Sequence, residues 1–107
     1  MNKWNNIKTD DLISAVLALK TKDEAKRFLR DLMTEAEIAE FGNRWKAAQM
    51  LNENIPYTTI VKETGLSSTT IARVSQWLRK GMGGYQLMLA RLSHHTNPSE
   101  KRLVFSR

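Results

Sequence analysis

Gly65 is the residue that most constrains what this chain can fold into, because apolar residues stand around it at intervals that pin two short helices across a tight turn. Ile60 lies five positions before it, Leu66 one after, Ile71 six after and Val74 nine after. A turn that steep needs a residue able to take left-handed backbone, and glycine does so without a Cβ clash. Pro56 lacks an amide proton and opposes helix in the residue before it, which favours a fresh helix start after Asn54-Ile55. Ser67 or Ser68 supplies an N-cap for the second helix. The spacing predicts a helix-turn-helix from about Tyr57 to Trp77, inside a module over 55–80. Val61 is a departure, since a residue smaller than valine suits helices that approach so closely.

Upstream, helix starts recur in register. Thr9 before Asp10 and Asp11 suggests the opening of a first helix, with Leu12, Ile13, Val16, Leu17 and Leu19 at helical spacing. Thr21-Lys22-Asp23-Glu24 has the pattern of a capping box, followed by Ala25, Phe28, Leu29, Leu32 and Met33. Thr34-Glu35-Ala36-Glu37 repeats the device and opens a third helix carrying Ile38, Phe41, Trp45, Ala48 and Leu51. Downstream, Gly81-Met82-Gly83-Gly84 interrupts the chain before a short last helix from Tyr85 to Ser93. No strand pattern or repeat appears. The expectation is an all-α fold of six helices in one domain over 1–93: core and dimerisation helices over 1–54, the helix-turn-helix over 55–80 and the last helix over 81–93. Residues 94–107 lack periodicity and read as a basic, mobile tail.

A formal net charge of +6 with a sequence pI near 9.9 suits a polyanionic partner. The excess is local. Met1 to Leu78 holds 11 basic and 10 acidic residues, whereas Arg79 to Arg107 holds six basic residues and only Glu100. The outward positions of the second short helix would be Ser68, Thr69, Ala72, Arg73 and Gln76, with Ser67 at its start and Arg79 and Lys80 at its end. Glutamine can pair with adenine, hydroxyls with several bases, and an alanine methyl can meet the thymine methyl. Double-stranded DNA is therefore the expected partner. A solvated helix face followed by a solvated tail is the bland alternative.

Other functions find little support. The absence of cysteine excludes disulfides and thiolate metal sites, and the longest apolar stretch, Ala15 to Leu19, is too short to span a membrane, so a cytoplasmic location is expected. His94 and His95 lack further ligands for zinc, and no metal site is expected. Glu35, Glu37 and Glu40 fall where they complement a helix dipole, and no nucleophile–base pair or phosphate loop is present, so no catalytic residue and no cofactor are expected. The competing reading is a protein-binding helical adaptor anchored by Trp4, Trp45, Trp77 and Tyr85.

From about Leu32 to Leu92 the chain resembles the Trp repressor superfamily, particularly its branch of uncharacterised relatives of similar size. The resemblance rests on Thr34-Glu35-Ala36-Glu37, Gly42-Asn43-Arg44, Lys62-Glu63-Thr64-Gly65 and Thr70-Ile71-Ala72-Arg73. It implies an intertwined homodimer in which the first three helices of both chains build a shared core and paired helix-turn-helix modules face operator DNA. It also implies a tryptophan corepressor, with Arg44 and Arg73 as the ligand-holding arginines and Thr34 lining the pocket. Val74 and Trp77 stand where that pocket calls for small residues. The expectation from the side chains is that Trp77, or else Trp45, fills the space from within, leaving the identity of any small-molecule effector open.

Overall fold

A computed structural model describes residues 3–93, which form six α-helices and no strand. In chain order they are α1 (Ile7–Ala18), α2 (Lys22–Leu32), α3 (Glu35–Asn52), α4 (Tyr57–Thr64), α5 (Ser68–Lys80) and α6 (Gly84–Ser93). The expected tail over 94–107, with His94 and His95, lies outside the described residues. No helix among the described residues is long and apolar enough to cross a membrane.

The backbone divides into two compact units, Met1–Ala39 and Glu40–Arg107. In the first, α1 begins earlier than the Thr9-Asp10-Asp11 signal suggests. Asn6 is its N-cap, with Oδ1 accepting from the amides of Lys8 at 2.9 Å and Thr9 at 3.1 Å. The asparagine amide group reaches the free N–H groups of the first turn, so it wins over the threonine. Thr9 instead sits within the first turn of the helix and donates its hydroxyl to the Trp4 carbonyl. Thr21 caps α2 by accepting from the Glu24 amide at 3.1 Å, while the Glu24 carboxylate reaches one residue past the usual target, to the Lys20 amide at 2.9 Å. At the start of α3 the reciprocal pair is complete: Thr34 Oγ1 accepts from the Glu37 amide at 3.1 Å and Glu37 Oε1 from the Thr34 amide at 2.9 Å. Neither α1 nor α2 contains a buried residue, and Leu12, Ile13, Val16, Leu17 and Leu32 stay exposed.

The second unit holds the core. Ala47, Ala48 and Met50 of α3 join Ile60, Leu66, Ile71 and Val74, with Trp45, Leu51, Ile55 and Tyr85 packed against them. Two alanines in succession keep that stretch of α3 thin, so α4 and α5 can seat their branched side chains close to its backbone. A left-handed residue, Asn54 at φ 60°, and then Pro56 as N-cap separate α3 from α4.

Candidate nucleic-acid interface

The helix-turn-helix is assembled around the residues that the spacing singled out. Gly65 ends α4 in left-handed backbone at φ 74°, and its amide donates to the Val61 carbonyl at 2.8 Å. Ile60, Ile71 and Val74 are fully buried and Leu66 nearly so. Ser67 caps α5, its Oγ accepting from the Thr70 amide at 3.1 Å. Val61 lies on the exposed side of α4, so its branched side chain does not intrude between the helices.

Composition and spacing did not point to Thr64, which locks the turn. Its buried hydroxyl donates to the Ile60 carbonyl at 2.7 Å and accepts from the Leu66 amide at 3.2 Å, joining the last turn of α4 to the first residue after the glycine. The available signal was a hydroxyl residue directly before a helix-ending glycine, a position from which it can bond backbone on both sides. Ser75 was likewise missed; it is buried on the core side of α5.

With Ile71, Val74 and Ser75 turned inward, Ser68, Thr69, Ala72, Arg73 and Gln76 are all exposed along α5. Ser67 precedes them, and Arg79 and Lys80 follow in the last turn, also exposed. The surface offers hydroxyl, amide and methyl groups flanked by cations, which is chemistry suited to base edges and phosphates.

Of the residues tied to an effector, α3 and α5 bring together Arg44 and Trp77. The Arg44 guanidinium carbon lies 5.8 Å from the Trp77 ring centroid and 5.5 Å from that of Phe41. Its Nε donates to Glu40 Oε2 at 3.1 Å, one helical turn back. That partner was legible as an i, i+4 pair of opposite charge. Arg73 is exposed and makes no ion pair among the described residues. Val74 belongs to the core, and the Thr34 hydroxyl caps α3. Trp45 stacks on Tyr85 at 6.1 Å between centroids, and desolvation raises the Tyr85 phenol above its usual pKa, partly offset by the Arg44 charge.

Two depressions flank this arrangement. One, of about 620 Å³, lies beside the α5–α6 turn and is lined by Trp45, Trp77, Met82, Tyr85, Met88 and two glycines, with no charged side chain among the described residues. The other, of about 940 Å³, has a mixed lining in which Trp45, Leu51, Leu89 and Leu92 stand beside Glu53 and Arg79. Gln86 ties α6 to α5 between them, donating to the Leu78 carbonyl at 2.6 Å.

Comparison with known proteins gives a consistent result. The family model described as Trp repressor protein matches residues 8–93. The uncharacterized protein YerC of Bacillus subtilis (strain 168) is 34% identical over 102 residues, which span 95% of this chain and 98% of YerC. Among solved structures, a TrpR like protein from Eubacterium eligens ATCC 27750 is 38% identical with a TM-score of 0.83, over 87% of this chain and 96% of that one. A solved chain from Staphylococcus aureus is 35% identical with a TM-score of 0.81, over 89% of this chain and 95% of that one.

Proposed function

Because the chain belongs to the Trp repressor family, we propose that it is a sequence-specific DNA-binding transcriptional regulator that represses by occupying operator DNA as a homodimer. The observation that carries this reading is the division of α5 into a buried edge, Ile71, Val74 and Ser75, and an exposed polar edge, Ser68, Thr69, Ala72, Arg73 and Gln76. In that division Ser68, Thr69, Ala72 and Gln76 read bases, while Ser67, Arg73, Arg79 and Lys80 position the helix on phosphates.

The homodimer is supported by apolar surface that one chain leaves uncovered. Ile7 and Leu17 of α1 are 76% and 79% exposed, and Val16 and Leu32 are also exposed. Large aliphatic side chains at that level of exposure suit a face that a second copy of the chain covers. Two-fold symmetry would place the half-sites about 34 Å apart, one turn of duplex.

Selection of bound sites from random duplexes tests the proposal, and a palindromic consensus is the expected result. Thr69→Ala should relax preference at one base position in each half-site, costing about 1–3 kcal/mol there. Neutralising Arg79 and Lys80 should weaken all sequences alike and flatten the salt dependence. Binding without sequence preference, or a Thr69→Ala protein that selects the unchanged consensus, would overturn the assignment.

A further inference from the structure

We infer that Trp77 is a built-in strut: its ring occupies the Arg44 guanidinium and holds α5 against α3, so that the DNA-reading edge of α5 is set without free tryptophan. The inference deepens the DNA-binding reading above and rests on it for its consequence.

Arg44 has its partners within the chain. Glu40, on the same helix, accepts from its Nε at 3.1 Å, the ring of Phe41 on that helix lies 5.5 Å from its centre, and the ring of Trp77 on α5 lies 5.8 Å from it. A planar cation over an indole face gains attraction from the ring's quadrupole. The contact therefore links two helices, and Trp77 lies one turn beyond Arg73 on the helix that carries Thr69 and Ala72.

A free indole seeking Arg44 would have to displace a tethered one. The tethered ring acts at the high effective concentration of an intramolecular group, whereas the free ligand must surrender translational and rotational freedom. The adjoining 620 Å³ depression does not solve that problem, because among the described residues no charged side chain lines it to receive the amino acid's own ammonium and carboxylate groups. Trp45 is not the strut; it stacks on Tyr85 instead.

A double-mutant cycle on the full chain tests the strut, using Arg44→Met, which keeps a long unbranched side chain but loses the cation, and Trp77→Leu, which keeps apolar bulk but loses the ring. Both urea unfolding and affinity for a selected operator are read at fixed protein concentration. The expected result is non-additivity of roughly two- to fivefold in each equilibrium constant, the size of a partly exposed cation–π contact. Independent, additive effects in unfolding would overturn the strut. Wild-type operator affinity should be unchanged by millimolar L-tryptophan, and a tenfold gain would overturn the claim of ligand independence. Absence of any preferred operator would instead refute the DNA-binding reading, while the unfolding cycle would still decide the strut.

Discussion

Replacing Thr64 by valine isolates what one hydroxyl contributes to the helix-turn-helix. The two side chains have nearly the same shape, so packing is conserved while the donor to Ile60 at 2.7 Å and the acceptor for the Leu66 amide at 3.2 Å are both lost. Thr64 is 7% exposed and Leu66 6%, so water cannot readily take over. Leaving the Leu66 N–H unsatisfied costs about 1–3 kcal/mol, and losing the bond to Ile60 costs about 1 kcal/mol more. The added methyl returns at most about 0.8 kcal/mol. The expected loss is about 2–3 kcal/mol. Thr64→Ser keeps both hydrogen bonds and removes one methyl, so it should cost about 1 kcal/mol or less. Urea unfolding at a single protein concentration measures both, because a slope of about 1–3 kcal/mol per molar converts the valine effect into a midpoint shift on the order of 1 M. A valine variant within about 0.5 kcal/mol of wild type, or a serine variant destabilised as much as valine, would refute the hydrogen-bond argument.

Gly81→Ala should destabilise by about 1–3 kcal/mol, since a Cβ there would lie 2.4 Å from the Trp77 carbonyl oxygen, a backbone atom that cannot swing aside; thermal unfolding that matches wild type would contradict this. Tyr85, whose phenol is raised by desolvation against the smaller effect of Arg44, should stabilise the fold fully below the ordinary tyrosine pKa of about 10 and lose that contribution as pH rises through the folded value. Tyr85→Phe should remove this part of the alkaline decline in unfolding free energy, and an unchanged decline would count against it. Sedimentation at micromolar concentration should find dimers, with Leu17→Glu shifting the population toward monomer; a stable folded wild-type monomer would sink the dimer.

Local signals determined the six helices and the turn, because capping side chains, glycine conformational freedom and helical periodicity act over a few residues. Gly65, the Thr34–Glu37 capping pair and the buried set Ile60, Leu66, Ile71 and Val74 were all legible from spacing. The start of α1 was misread because two adjacent signals competed, and the side chain of Asn6 reached the free amides first. Exposure of Ser68, Thr69, Ala72, Arg73 and Gln76 followed from the same periodicity that buried Ile71 and Val74. The tertiary structure decided contacts between elements distant in sequence. Arg44 and Trp77 are 33 residues apart, and only the packing of α3 against α5 brings a guanidinium to that ring. The same packing sent Trp45 to Tyr85 instead. Periodicity specifies which face of a helix turns inward, but the partner it meets depends on the rotation and separation of two helices, which the assembled core fixes.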